Sequence, residues 1–456
     1  MIRLAVRARV ARLRAMDWLG REATVAKPGF NRWLVPPAAI AVHMCIGQVY
    51  AFSVFNKPLA QDLGVEVGKV NVSYQIALFM LGMSAAFLGK WVERTGPRRT
   101  MLAACLCFCG GLAVTALAVR LRMVPLVWLG YGVLGGTGLG LGYIAPVSTL
   151  VKWFPDRPGM ATGMAIMGFG GGALIASPLA QELMRHFGAG VGTGAFGTLL
   201  AMAGLYACFM VAGAVMVRVP AAGWVPDGHV APGGAGSGIS AADVAAETAV
   251  KTRQFWLLWM VLCMNVSAGI GILGRASDMC QDMFGVSVAV GAGFAGLLSI
   301  FNMGGRFFWS SVSDYLGRRL VFSIFFLAGG VLYGLLPWAQ ATQNKVFFVA
   351  STAVIISMYG GGFATMPAYL RDLFGSRNLG VIYGRLITAW SIAAVLGPGL
   401  LNGLYDRRVH EGVSRASAYN NTFYLMIGLL GAGLVCNLLV RPVDAKHHLP
   451  VEGGAP

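Results

Sequence analysis

The stretch Ser299–Arg319, SIFNMGGRFFWSSVSDYLGRR, decides how the chain is read. It starts as an apolar helix and ends in a charged turn. One guanidinium, Arg306, sits inside the apolar part; Asp314 follows on the same helix, and Gly317, Arg318 and Arg319 close the segment. An α-helix rises ~1.5 Å per residue, so Arg306 lies ~12 Å along the axis from Asp314. If Asp314 marks a membrane surface, Arg306 lies near the middle of a hydrocarbon layer ~30 Å thick. A permanent charge there is costly, and such residues mark substrate or ion pathways.

The surrounding composition supplies the membrane. Of 456 residues, 57% are hydrophobic and 12% charged, about half the charge density of a soluble domain. Apolar runs of near-spanning length fall at 35–56, 72–89, 101–120, 125–150, 160–183, 197–217, 254–274, 288–309, 320–338, 346–369, 379–402 and 421–440. This predicts an all-α membrane protein of twelve transmembrane helices rather than a barrel of short alternating strands. An even number of spans puts both termini on one side. That side holds 23 of the 35 Lys and Arg, against 10 opposite and 2 within spans. The positive-inside rule makes it the cytoplasm. The net charge of +17 is therefore a topological signal, and no nucleic-acid partner is expected. The expected setting is a bacterial inner membrane, with the lipid bilayer as the protein's surroundings and a monomer as its state.

The chain divides into a basic tail (1–32), a six-helix half (33–217), a Gly/Ala/Pro-rich linker (218–253), a second six-helix half (254–440) and a short tail (441–456). The first tail reads as a solvated or lipid-facing arm. In the linker, Ser240 is placed to cap a short helix, AADVAAETAVK. The halves repeat in parallel: Phe154-Pro155-Asp156-Arg157 recurs as Phe374-Gly375-Ser376-Arg377 and Pro178 as Pro398, at an offset of 220, while Gly96 and Gly317 match at 221. Parallel repeats joined by a linker are the signature of a transporter with its site between the halves. Gly132, Gly136 and Gly140 form a stripe for close helix packing. A dinucleotide-binding loop would need a preceding strand and a soluble βαβ unit. Cys105, Cys107 and Cys109 read as packing residues, since positions two apart on a helix face different ways. No metal site, nucleophile constellation, ATP-binding motif or cofactor site is expected, and the protein is not read as an enzyme.

At this point the sequence resembles the major facilitator superfamily. That family carries a Gly-three-Asp-two-Gly-Arg-Lys/Arg motif after spans 2 and 8. The first copy here is Gly89, Glu93, Gly96 and Arg98; the second is Ser310, Asp314, Gly317, Arg318 and Arg319. Glu93, Pro97 and Ser310 depart from the pattern. The resemblance implies that these loops latch the cytoplasmic ends of the helices. Within the superfamily the closer resemblance is to the oxalate/formate antiporter branch. The phrases that carry this are IGQVYAFSVF, GYIAPVSTLVKWFPDRPGMATG, FNMGGRFFWSSVSD, YGGGFATMPAYLRDLFG and YGRLITAWSIAAVLGP. The branch implies an Arg on span 8 and a Lys on span 11 for a dianionic substrate. Arg306 matches the Arg; Trp390 stands at the Lys position, with Arg385 the other charge of that span.

Depth arithmetic gathers the candidate substrate residues. Arg385 lies ~12 Å from Arg377, Tyr143 ~14 Å from Lys152, Tyr359 ~18 Å from Arg371 and Gln48 ~14 Å from Lys57. Arg306, Arg385, Trp390, Tyr50, Gln48, Tyr143 and Tyr359 are therefore expected near mid-membrane. Arg275, ~33 Å from Arg253, reads as an outer-surface residue. The 18 Asp and Glu all fall in loops or at span ends. Cations without a buried anion favour an anionic substrate, which gives a secondary transporter of small carboxylates such as formate, lactate, pyruvate or oxalate, working by anion exchange. Two other readings stand beside it. One is a proton-coupled monocarboxylate symporter, with His43 as the group of suitable intrinsic pKa. The other is a transporter-like membrane sensor.

Overall fold

Hydrocarbon offers no partner to a peptide group, so each apolar run closes its hydrogen bonds internally as helix. The computed structural model describes residues 18–188, 192–226, 243–273 and 275–450. Its principal helices are α1 Arg32–Ala51, α2 Val67–Thr95, α3 Pro97–Leu121, α4 Val124–Trp153, α5 Pro158–Phe187, α6 Ala195–Met216, α7 Arg253–Leu273, α8 Val288–Leu316, α9 Arg318–Ala341, α10 Lys345–Phe374, α11 in two pieces, Leu379–Leu386 and Thr388–His410, and α12 Arg415–Leu439. Ten of these, all but α8 and α11, are long and apolar enough to cross a membrane. α8 and the two-piece α11 occupy the places where the sequence puts the eighth and eleventh spans. Several helices overrun their apolar runs: α2 extends to Thr95, and α10 to Phe374. Their last turns are polar and remain helical beyond the apolar segment.

Two helices leave regular α geometry. α1 tightens into a 3-10 turn over Gly47–Ala51 before continuing as Ser53–Leu63, and α4, after one α-helical turn over Val124–Val127, widens into a π-helical segment, Trp128–Gly135. Both devices re-aim side chains within a span. The glycine stripe of α4 faces α2: a Cβ at Gly132 would meet Ile76, one at Gly136 would meet Ala77, and one at Gly140 would meet Ser84.

The two halves meet chiefly through α5 against α8 and α2 against α11, with α5 also touching α10. The sequence repeat relates α2 to α8 and α5 to α11, so the two main contacts are copies of one arrangement. Thr162 donates to the Ala364 carbonyl at 2.6 Å, and Ser391 to the Leu78 and Phe79 carbonyls at 3.1 and 3.0 Å.

The segments outside the spans are more tied down than expected. In the N-terminal tail, Arg32 grips Asp156 at 2.7 and 3.0 Å, and Trp18 accepts from Arg98 through its carbonyl at 2.7 Å. The described part of that tail is docked rather than solvated, because these polar groups find partners at the helix ends; residues 1–17 lie outside the described residues. So does the proposed cap Ser240. The linker helix expected from Ala241 is confined, among the described residues, to Ala246–Ala249. Its approach is pinned to the C-terminal half by Val244 N–H on the Phe374 carbonyl at 2.9 Å and by Arg377 N–H on Asp243 at 3.0 Å.

Candidate functional site

Arg306 is fully buried on α8. Its Nε donates to Asn302 Oδ1, one turn earlier, at 3.2 Å. Its terminal nitrogens cross to the other half: one donates to the Ile166 carbonyl of α5 at 3.4 Å and one to Tyr50 Oη of α1 at 3.5 Å. The guanidinium carbon lies 5.6 Å from the Phe169 ring centroid and 5.2 Å from that of Phe363. Among the described residues it has no carboxylate partner. The charged groups most deeply buried here are arginines, and the other two, Arg98 and Arg318, sit at helix ends. Gly170 makes the close approach of α5 possible, since a Cβ there would lie 2.7 Å from Arg306 Nε.

Aromatic rings close around this charge. Trp390 packs 4.6 Å from Phe363, 5.6 Å from Phe169, 5.8 Å from Tyr143 and 6.4 Å from Tyr50, centroid to centroid. Tyr143 also meets His43 at 5.3 Å and Tyr383 at 6.2 Å. Arg306 lies within electrostatic reach of Tyr50, Tyr143 and Tyr359. Among the described residues, Tyr143 Oη, Tyr359 Oη, Trp390 Nε1 and His43 Nε2 around it are buried with no hydrogen bond of normal geometry to protein, as are both amide atoms of Gln48, on the turn that carries Tyr50. An orphaned buried donor or acceptor carries its full desolvation cost. The cluster is thus a packed, polar-lined and cationic centre between the halves.

The structure brings together Arg306, Tyr50, Tyr143, Tyr359 and Trp390, and buries Gln48 on the same 3-10 turn as Tyr50. It does not bring Arg385 there. The Arg385 guanidinium donates to the Ala246 carbonyl at 2.7 Å and to Glu247 at 3.4 Å, on the linker. Helix arithmetic places a Cα; a long side chain then runs along the helix to reach polar partners. Arg275, at the opposite end, pairs with Asp406 at 3.5 Å and stacks 4.3 Å from the Tyr405 ring. An open groove of about 530 Å³ lies within the N-terminal half, lined by Val54, Pro58, Gln181, Met184 and Thr193, and includes none of the residues around Arg306.

The two motif copies lie at the end of the bundle that also carries the linker, here called the motif face. Asp314 accepts from Gly159 N–H at 2.9 Å and Met160 N–H at 2.8 Å, the second and third residues of α5. Arg318 braces Asp314 at 2.6 Å and Asp372 at 3.1 Å, and also bonds Ser313. Glu93 mirrors this: it accepts from Gly380 N–H of α11 at 3.2 Å and from Lys152 at 3.2 Å. Gly89 lies against α11, where a Cβ would be 3.1 Å from Val381 Cα. Gly96 and Gly317 both turn the chain with φ of +85° and +84°. Arg98 caps the end of α6 through the Ala214 and Val215 carbonyls at 3.3 Å, away from any motif carboxylate.

Sequence reasoning did not single out Asn302, Phe169, Phe363 or Tyr383, nor the partners Lys152 and Asp372. Asn302 carried a usable signal: it stands four residues before Arg306, on the same helix face.

Comparison with known proteins agrees with this architecture. The sequence profile described as Major Facilitator Superfamily matches residues 38–398, and again 299–455. The chain belongs to the Major Facilitator Superfamily. It is accordingly a multi-pass membrane protein and a secondary transporter, not an enzyme. It is 28% identical over 369 residues to the uncharacterized MFS-type transporter YhjX of Escherichia coli, covering 80% of this chain and 86% of that one. It is 28% identical over 378 residues to the oxalate:formate antiporter of Oxalobacter formigenes, covering 81% and 84%. Among solved structures, the proton:xylose symporter XylE superposes with a TM-score of 0.68 over 90% of this chain and 96% of that one, at 13% identity, a likeness of fold alone.

Proposed function

We propose that this transporter carries small organic anions, monocarboxylates in preference to dicarboxylates, by exchange between the two sides of a membrane. The observation that carries the reading is Arg306: a fully buried guanidinium with no carboxylate partner among the described residues. Such a charge is tolerated where a ligand supplies the counter-ion. Its planar fork suits a carboxylate, and the buried hydroxyls of Tyr143 and Tyr359 and the Trp390 indole N–H are donors of the kind a bound anion accepts from. Because Arg385 is engaged on the linker and Trp390 stands where the resemblance implies a second cation, the site offers, among the described residues, one full positive charge. That supports one carboxylate over two. The similarity to an oxalate:formate antiporter supports the class. Site residues from both halves, Tyr50 and Tyr143 with Arg306, Tyr359 and Trp390, suit alternating access, with the motif face closing one side. The excess of Lys and Arg on that side supports a cytoplasmic motif face.

The test is uptake into proteoliposomes of radiolabelled formate, lactate, pyruvate and oxalate, with and without internal anion. Preloaded anion should stimulate uptake, an imposed pH gradient should matter little, and His43→Ala should leave exchange intact. Arg306→Gln should weaken anion affinity about 10–150-fold, the value of a charge-assisted hydrogen bond at roughly 1.5–3 kcal/mol, with Arg306→Lys intermediate. Native-like exchange by Arg306→Gln would remove this residue from the site, and a strict proton-gradient requirement abolished by His43→Ala would replace exchange with symport.

A further inference from the structure

We propose that Asn302 is a positioning residue that keeps Arg306 available to an external anion, by satisfying the guanidinium without neutralising it. The inference rests on the reading of Arg306 as the anion-binding group. Nε is the inner donor of the guanidinium, and its bond to Asn302 Oδ1 at 3.2 Å lies within one helix. That bond sets the plane of the fork and turns its two outer nitrogens toward α1 and α5. Among the described residues, the hydrogen bonds of the outer nitrogens go to neutral oxygens, at 3.4 and 3.5 Å, both at the long limit of a hydrogen bond. A carboxylate would bind the same edge at roughly 2.7–2.9 Å and displace them.

The side chain at position 302 therefore decides what the site is. Asn302 is 3% exposed, and α10 packs directly on it: a Cβ at Gly360 would lie 2.6 Å from its Oδ1. An amide there completes Nε and leaves the positive charge unspent. A carboxylate of the same size would form an internal ion pair with Arg306, and the site would lose its reason to hold a ligand. A substrate anion would then have to compete with a permanently tethered one.

The experiment compares Asn302→Asp, Asn302→Ala and Arg306→Gln with the native protein, each reconstituted after elution as a single monodisperse species. The readout is counterflow exchange of radiolabelled formate, pyruvate and oxalate, resolved into apparent affinity and maximal rate. Asn302→Asp should raise the half-saturating concentration about 10–100-fold, close to the loss in Arg306→Gln. Asn302→Ala should cost less, about threefold to tenfold, because the charge survives and only its pose loosens. A purely packing role gives the opposite order, since alanine leaves a cavity and aspartate does not. Asn302→Ala at least as damaging as Asn302→Asp, or native affinity in Asn302→Asp while Arg306→Gln is impaired, would overturn this inference alone. Native-like exchange by Arg306→Gln, or exchange of none of the three anions by the native protein, would overturn the reading of Arg306 together with it.

Discussion

The two contacts at the motif face are built to one plan and finished differently. In each, a carboxylate at the end of one helix caps the start of a helix in the other half. Asp314 of α8 caps α5, and Glu93 of α2 caps α11. Neither helix start has a side-chain cap of its own: Arg157 and Asn378 stand at the cap positions and accept nothing from the turn. The first N–H groups of a helix are orphaned and carry partial positive charge, so a carboxylate from across the interface completes them. The difference lies in the bracing. Asp314 spends both oxygens on backbone N–H groups and is held by Arg318, itself held by Asp372, with Asp314 and Arg318 side chains only 6% and 7% exposed. Glu93 divides its oxygens between Gly380 and Lys152, in a pair 18% and 26% exposed. The first copy has no arginine to brace it, because Pro97 stands where Arg318 stands in the second; Arg98, which matches Arg319, is turned to carbonyls of α6. The comparison teaches that a repeat can preserve a capping geometry while only one copy retains the charge network that stiffens it.

Asp314→Asn attacks the stiffer arm and should have the largest effect. It keeps the shape, weakens two charge-assisted bonds and leaves Arg318 with Asp372 alone. Breaking a buried pair costs about 3–5 kcal/mol; with the amide oxygen still able to accept, a shift of at least about 2 kcal/mol is expected, some 30-fold in population. Spin labels at the exposed positions Arg157 and Tyr315, in a cysteine-free background, should report a wider motif face, with slower exchange and nearly unchanged anion affinity. Lost affinity at unchanged exchange rate would mean that Asp314 belongs to the substrate path.

Glu93→Gln should do less. Glutamine can still accept from Gly380, and the lost partner is a part-exposed lysine, so about 1 kcal/mol or less is expected. Labels at Arg94 and Arg377, on the α2 and α11 side, should separate less than those at Arg157 and Tyr315 do in Asp314→Asn. An equal or larger separation would break the comparison and make the two arms equivalent.

How much of this was legible follows from what each feature depends on. The twelve helices could be read because apolar length and charge asymmetry are properties of the chain itself. The motif carboxylates could be read because their spacing is local. Their partners could not: Gly159, Met160 and Gly380 contribute backbone N–H groups, which leave no mark on residue type, and the pairing depends on two halves meeting. Pro158, at the first position of α5, was the one local hint of an exposed helix start. Arg306 was legible as a charge in an apolar run, but the 3-10 turn that aims Tyr50 at it was not, since nothing in GQVYA forbids continuing α-helix. Arg385 shows the limit of depth arithmetic. It lies in the first piece of α11, Leu379–Leu386, whereas its guanidinium bonds Ala246 and Glu247 of the linker, partners more than a hundred residues away in sequence.

Glu247 is also where the weaker arm receives help, and it supplies the smallest of the expected effects. From the linker it bonds Lys90 of α2 at 2.5 Å and Arg385 of α11 at 3.4 Å, joining the same two helices that Glu93 joins. Its carboxyl is held down at about 2, against an ordinary 4.5, chiefly by the Lys90 hydrogen bond. An acid whose pKa is lowered on folding stabilises above its ordinary value and loses that contribution as pH falls through the lowered one. The bridge is therefore intact throughout the range from about pH 5 to 8 and cannot be a proton switch there. It is open to salt instead, because Lys90 and Glu247 are 54% and 56% exposed. The Debye length falls from about 30 Å at 0.01 M to about 3 Å at 1 M ionic strength. Glu247→Gln should change the exchange rate by no more than about threefold at low salt and leave no difference from the native protein at 1 M. Arg385→Gln should behave in the same way, with anion affinity unchanged. A deficit in Glu247→Gln as large as that of Asp314→Asn, or one that persists at 1 M salt, would make the linker the main clamp of this face; a loss of anion affinity in Arg385→Gln would return that arginine to the substrate site.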